Sequence, residues 1–381
     1  MNLLLVSVDS LRLDFAPGIS KQIHTPRFSS LTGDFHLCQT CFAPSSATRP
    51  VHTSLFTGLY PFEHGIEGQH SPAMRQGCRD LFDLCRDAGI DACGYSQAAT
   101  IFTGLRFADY IIPLPSAPMA PPAAADANLV FVHYWSVHAP YGAGDGLAFG
   151  EVGRQLAAGR LDLVQARYCA AIEELFESHI APLVASLDLD RWSVFIFSDH
   201  GESWRPDEPY HGQTLRNDVL RVPLYYHIPG SGNPPPAREL ISLIDLYPTI
   251  LALIDIDHPY RGFARDIRRS EAPEFYLAEL EPGAMADGPS QPADLFPPTH
   301  YGRQWALFNT EVKFTYDQAT QREERVSTFT EKPLFSLQDH NAYHQAYARM
   351  RAASPYMQAE IGPSIDGKLL QRRLRELGYL D

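Results

Sequence analysis

Two apolar runs, each ending on charged residues, constrain this chain more than any other feature. Leu3-Leu-Leu-Val-Ser-Val8 leads into Asp9, and Trp192-Ser-Val-Phe-Ile-Phe-Ser198 leads into Asp199-His200-Gly201. A short apolar run without polar alternation is a strand buried on both faces, as in a parallel sheet covered by helices. In open α/β sheets ligands bind beyond the carboxyl ends of such strands. Asp9, Asp199 and His200 are therefore expected to converge there. Two carboxylates and an imidazole form an O,O,N set for a divalent metal.

A third stretch supplies a hydroxyl. In Ala43-Pro-Ser-Ser-Ala-Thr48-Arg49-Pro50-Val-His52-Thr-Ser-Leu-Phe-Thr57-Gly58, Thr48 precedes a Pro that can open a helix, and Gly58 suits its exit. Free N–H groups and the positive dipole end at a helix N-terminus attract anions. A nucleophile for a phosphate or sulfate ester needs that placement, and Thr48 Oγ is also a fourth metal ligand for the set above. The alternative is a plain helix cap.

The remaining chain alternates strands and helices, which predicts a mainly parallel sheet sandwiched by helices. Helices are expected at 49–57, 79–88 and 242–254, and strands at 91–95, 128–135, 192–198 and 222–228. Apolar spacing predicts one long amphipathic helix over 158–187, kinked at Pro182. Residues 113–127, rich in Pro and Ala, read as a surface loop. An antiparallel hairpin at 303–317 and 325–337, then helices, form a C-terminal α+β subdomain over 301–381, behind a catalytic domain over 1–300.

Taken in order, these and further segments resemble the sulfatase family of the alkaline-phosphatase superfamily. The family's Asp-Asp-x-Arg is similar to Asp9-Ser10-Leu11-Arg12, and Thr-Pro-x-x-x-x-Leu to Thr25 through Leu31. Its Cys/Ser-x-Pro-x-Arg, then Leu-x-Thr-Gly, resembles Thr48-Arg49-Pro50-Val51-His52 and Leu55 through Gly58. His138-Ala-Pro-Tyr141, Ser198-Asp-His-Gly-Glu202, His211-Gly212 with Leu220 to Leu224, Ile244 to Ile250, and Pro333 to Asp339 complete the series. The resemblance implies an alkaline-phosphatase-like fold and a metal-dependent ester hydrolase. It also implies His211 as general acid or substrate-oxygen binder and His138 as binder of the transferring group. Arg216 falls near the family's active-site Lys. Arg49, beside the nucleophile, reads either as a substrate contact or as a solvated charge at the helix start. His133, inside a strand, reads as a satisfied core residue.

The departures from the family pattern bear on mechanism. Sulfatases convert the residue at position 48 into formylglycine, which Thr48 cannot become. A phosphothreonine is a workable intermediate that water can open in line. Phosphate mono- or diester hydrolysis is therefore preferred over sulfate ester hydrolysis, with phosphoryl transfer to an alcohol, or a binding module without catalysis, as alternatives. Ser10 replaces the second Asp, which disfavours a high-coordination calcium site. His52 replaces the motif Arg, so one fixed positive charge near the nucleophile is missing, and His52 stands as a substrate contact in its place. Manganese or zinc held by Asp9, Thr48, Asp199 and His200 is expected, with calcium as the alternative and a second metal at His138, His211 or Ser10 left open.

Composition bounds the partners. The 381 residues, 45% hydrophobic, can bury one large core with a subdomain, and a formal charge of -14 disfavours nucleic-acid backbones. It does not disfavour a small anionic ester, because a metal and a helix terminus supply local positive potential. No run reaches membrane-spanning length, and the N-terminus lacks a basic leader, so a cytoplasmic enzyme without a membrane partner is expected, with a homo-oligomer left open. Cys38-Gln-Thr-Cys41 has redox or zinc spacing, but a single such pair reads as two buried thiols.

Overall fold

A computed structural model describes residues 2–114, 128–142, 149–205, 209–257, 261–281, 302–335, 340–363 and 367–376. The strands are β1 (Asn2–Val8), β2 (His36–Phe42), β3 (Asp91–Ser96), β4 (Ile111–Pro113), β5 (Asn128–Tyr134), β6 (Trp192–Ser198), β7 (Ser203–Trp204), β8 (Pro209–Tyr210), β9 (Arg221–His227) and β10 (Ile241–Ser242). Eight of them form one sheet in the order β10-β2-β9-β6-β1-β5-β3-β4. All its neighbours pair in parallel except at β9, which runs against β2 and β6.

The helices are α1 (Pro26–Leu31), α2 (Thr48–Thr57), α3 (Pro61–His64), α4 (Leu81–Asp87), α5 (Phe149–Ala157), α6 (Leu161–Leu175), α7 (Ala181–Ala185), α8 (Asn217–Leu220), α9 (Leu246–Leu253), α10 (Asn341–Ala353) and α11 (Gly367–Glu376). Strand side chains alternate across the sheet, so β1 serves both faces. Leu3 and Leu5 pack with Val51 and Leu55 of α2, Leu81 of α4 and Ile250 of α9. Leu4, Val6 and Val8 pack with Phe28 of α1, Val152 of α5 and Tyr168 and Ile172 of α6. The unbroken apolar character of β1 follows from this double cover.

The long helix expected over 158–187 is divided. α6 passes into a π-helical turn, Phe176–Ile180, and then into α7. Pro182 has no N–H for the carbonyl of Ser178, so the irregularity falls one turn before the proline rather than at it. The loop expected at 113–127 lies outside the described residues beyond 114. Cys38 and Cys41 sit buried in β2, and burial raises both thiols above their ordinary pKa; all six cysteines are free.

A second, antiparallel sheet runs β11 (Tyr276–Leu280), β12 (Gln304–Phe308), β13 (Val312–Asp317) and β14 (Arg322–Ser327). The hairpin expected between 303–317 and 325–337 is formed by β13 and β14, with β14 starting at Arg322, and a further hairpin, β12 with β13, lies within the first of those spans. Asn309 Oδ1 accepts from the amides of Glu311 and Val312, tightening the turn between β12 and β13. The domain boundary expected at residue 300 lies outside the described residues. One face of this sheet, through Ala278, Ala306 and Phe308, packs on Phe42, Ala47, Leu215 and Leu220, beside the nucleophile helix.

Candidate active site

Parallel pairing of β1 with β6 brings their ends level. Val8 stands opposite Ser198, and the next residues are Asp9 and Asp199. Ser10 turns the chain away with φ 60, a left-handed backbone that costs a non-glycine residue energy unless its surroundings enforce it. They do: its hydroxyl donates to Asp9 Oδ1 at 2.8 Å and its amide to Asp199 Oδ1 at 3.2 Å. Ser10 thus holds both carboxylates by one oxygen each. Beyond Asp199, Gly201 donates its amide to Val219 O at 2.8 Å, and a Cβ there would lie 2.0 Å from Asp218 O. Only glycine allows that approach, which locks Asp199 and His200 against α8.

Thr48 is the first residue of α2, and Ala47 occupies the cap position. Its Oγ1 donates to Asp9 Oδ2 at 3.2 Å and lies 3.3 Å from His200 Nε2. The hydroxyl reaches across the site rather than capping its own helix. His200 Nδ1 donates to Gly201 O at 2.9 Å, so Nε2 carries the lone pair and faces Thr48. All four residues are fully buried.

The donor set suits a divalent metal. Ligand atoms of Asp9, Asp199 and His200 lie within 4.8 Å of one another. Asp199 Oδ2, 3.5 Å from His200 Nε2, is buried without a hydrogen-bond partner. Burial, then the charge of Asp9, pushes the Asp199 carboxyl well above its ordinary pKa. Burial also opposes ionisation of Asp9, but a hydrogen bond from His133 and the charges of His138 and His200 hold it low. Two buried carboxylates this close need a cation to ionise together.

His133 is the neighbour of Ser7 across β1 and β5. Its Nδ1 pairs with Ser96 Oγ at 2.8 Å and its Nε2 lies 3.2 Å from Asp9 Oδ2. It is satisfied, as expected, but one partner is a carboxylate of the site. His52 sits one turn into α2, beneath Thr48. Its Nδ1 donates to Thr48 O at 2.8 Å and its Nε2 lies 3.0 Å from Ser7 Oγ. Burial, then His133, pulls His52 down to about 3, so it is neutral. His52, His133 and Asp199 also cluster within 4.8 Å. A nitrogen that donates to a carbonyl has no lone pair to offer, however, so His52 Nδ1 is not a ligand in this arrangement.

The solvated reading of Arg49 is corrected. The side chain is fully buried, and its guanidinium donates to the carbonyls of Ile101, Thr103 and Ser71 at 2.7, 2.9 and 3.0 Å. It ties the start of α2 to two loops. Burial lowers its pKa to about 9. Arg216 caps α8, half-buried, and lines a cavity of ≈ 90 Å³ with Lys313, Asp317 and Arg322 of the small sheet.

His138 and His211 do come to the site. The His211 ring stacks on His200 at 4.3 Å and meets His138 at 4.9 Å, edge to face. His138 stacks on Trp135 at 3.7 Å. Burial pulls His138 to about 4, and burial with the charge of His200 pulls His211 to about 3. A His211 pKa near neutrality, as its role as an acid suggests, is therefore not what this enclosed pocket gives. Glu202, which sequence reasoning passed over, is its partner: Oε1 lies 3.0 Å from His211 Nδ1 and Oε2 accepts from Tyr141 OH at 3.2 Å. Burial pushes Glu202 up to about 7. Its position three residues after Asp199 was the available signal.

The family model of sulfatases matches residues 122–256, and that of type I phosphodiesterases and nucleotide pyrophosphatases matches residues 3–76. No curated protein sequence matches the chain. A phosphonate monoester hydrolase from Silicibacter pomeroyi is similar in structure, with TM-score 0.69 at 15% identity over 96% of this chain and 100% of that one. The phosphonate monoester hydrolase of Agrobacterium radiobacter gives TM-score 0.67 at 14% identity over 94% and 96%. A 2-O GAG sulfatase gives 0.65 at 12% identity over 97% and 96%. At such identities the likeness establishes the fold.

Each family model covers less than half of the chain, and the fold is the one shared with these sulfatase and phosphonate monoester hydrolase neighbours. Among the described residues, no helix is long and apolar enough to cross a membrane.

Proposed function

We propose that the chain hydrolyses a phosphoric ester, mono- or diester or phosphonate, through a covalent intermediate on Thr48. The observation that carries this reading is the placement of Thr48 Oγ1 between Asp9 Oδ2 and His200 Nε2, at 3.2 and 3.3 Å. Asp9, Asp199 and His200 would hold a divalent ion, manganese or zinc by ligand type, with Thr48 completing the set. When bound, that ion supplies Lewis acidity, which lowers the hydroxyl pKa and offsets charge on the transferring group.

The chain's own groups do the rest. Asp9 Oδ2 accepts the Thr48 proton and so directs the oxygen lone pairs toward the ester. Thr48 Oγ1 attacks phosphorus in line, the bond to the leaving alcohol breaks, and His211 relays a proton to that oxygen, Nε2 giving one up as Nδ1 receives one from Glu202 Oε1, 3.0 Å away. Glu202 and Tyr141 fix the His211 ring through Nδ1. His138 borders the transferring group. Water then attacks phosphorus, releases the phosphoryl group and restores Thr48. An alcohol taking the place of water would make the same intermediate serve transfer.

Aryl phosphate, bis-aryl phosphate, aryl phosphonate and aryl sulfate esters, assayed side by side, test the proposal. A phosphoric ester should be turned over fastest, Thr48→Ala should abolish turnover without loss of fold, and intact-mass analysis after rapid quench should find a phosphoryl adduct on Thr48. Full activity in Thr48→Ala, or a clear preference for the sulfate ester, would refute it.

A further inference from the structure

The N-terminus of α2 faces the nucleophile, yet its own backbone has few donors left for an anion. Pro50 has no N–H. The amide of Arg49 is already used: it donates to Gln69 Oε1 at 3.2 Å. Gln69 is 4% exposed, and its Nε2 is buried with no hydrogen-bond partner. Reversing that amide would set an NH2 group against the Arg49 N–H, donor against donor, so the orientation is fixed chemically. An amide O and N are covalently within about 2.3 Å of each other, so Nε2 stays close to the Arg49 amide at the start of α2, one residue after Thr48. The hydroxyls of Ser45 and Ser46, in the turn just before α2, are likewise fully buried and unpartnered. Leaving such groups unsatisfied in the interior is unfavourable, and a ligand oxygen would relieve it.

We infer that Gln69 is a binding and catalytic residue whose Nε2 donates to a non-bridging oxygen of the tetrahedral group undergoing transfer, with Ser45 and Ser46 completing an uncharged donor cradle. The Arg49 amide, at the positive end of the α2 dipole, polarises the Gln69 carbonyl and strengthens the opposite NH2 as a donor. Gln69 therefore carries the field of the helix terminus to the ligand. The cradle takes up charge that develops on the equatorial oxygens, where the Arg49 Nη groups cannot help because they are bonded to carbonyls. This inference rests on Thr48 being the attacking residue, but it applies to phosphoryl and sulfuryl groups alike.

Two substitutions separate the donor role from the cap role. Gln69→Glu keeps an acceptor for the Arg49 N–H and presents a carboxylate oxygen where the NH2 stood. Gln69→Leu removes both. The readouts are calorimetric binding of inorganic phosphate and of inorganic sulfate, kcat on the best ester of the panel, and thermal melting. Gln69→Glu should melt near wild type, bind either anion at least tenfold more weakly, and lose about 10²-fold or more in kcat, as removal of an oxyanion donor does. Gln69→Leu should lose anion affinity and also melt lower. Wild-type affinity and kcat in Gln69→Glu would overturn the inference, as would a wild-type protein that binds neither anion. If the sulfate ester proves the better substrate and Gln69→Glu still loses sulfate binding, the phosphoric-ester reading fails while the cradle stands.

Discussion

Glu202 Oε1 stands 3.0 Å from His211 Nδ1, and Tyr141 OH donates to the other carboxylate oxygen at 3.2 Å. The imidazole is thus aimed by a buried group three residues from Asp199 and a tyrosine that also accepts from Trp204 Nε1 at 2.9 Å. In the proposed reaction this ring acts on the leaving oxygen, and the leaving group decides how much that matters. His211→Asn should slow esters of poorly acidic alcohols by about 10²-fold or more, while nitrophenyl esters, which need no proton, change little. Steady-state kinetics across a series of leaving-group pKa values measures this. Equal losses for all leaving groups would assign His211 to binding of the transferring group instead.

Asp9 and Asp199 repel each other in a dry setting, which makes the metal-free site a source of instability. Asp199→Asn removes a ligand oxygen and also that repulsion. Metal content by elemental analysis should fall well below wild type. After chelation the variant should melt at or above chelated wild type, and added manganese or zinc should raise the melting point of wild type much more than that of the variant. Undiminished metal content in Asp199→Asn would remove it from the ligand set.

Arg49 shows where the sequence was readable and where it was not. Thr48-Arg49-Pro50 marks a helix start, and that start is where expected. The side chain's fate depended on carbonyls at 71, 101 and 103, which no local pattern announces. Asp9, Asp199 and His200 were legible because strand ends in a parallel sheet must meet at one edge. The reversed direction of β9 was not, because an apolar run reads the same in either direction. Gln69 was equally invisible: a glutamine in a Gly-rich loop gains meaning only from the N–H it meets. Glu202 and His133 lay in segments already singled out, and only the fold shows that Glu202 faces His211 and His133 faces Asp9 rather than hydrocarbon.

Arg49→Met tests the structural assignment of that guanidinium. Three carbonyls lose their donor inside the protein, at about 1–3 kcal/mol for each acceptor left without one. Chemical denaturation should show destabilisation on the order of 3 kcal/mol, and KM of the surviving folded enzyme should stay near wild type. A large rise in KM with little change in stability would return Arg49 to the substrate.

Glu279 of β11 ties the small sheet to the start of α3. Its Oε2 accepts from the amide of Phe62 at 2.9 Å and its Oε1 from Tyr347 OH at 2.6 Å, with Arg351 at 3.7 Å. Burial outweighs these partners and pushes the carboxyl from its ordinary 4.5 up to about 7. Between those values the folded chain holds a proton that the unfolded chain has released. The stabilisation is therefore complete below the unfolded pKa and is lost as pH rises through the folded one. Glu63, pushed by burial to about 7 and accepting from Ser354 Oγ at 2.8 Å, adds to the same slope. Melting points should fall from about pH 5 to about pH 8, and Glu279→Gln, which cannot ionise, should flatten part of that fall. An unchanged slope in the variant would mean that Glu279 keeps an ordinary carboxylate pKa despite its burial.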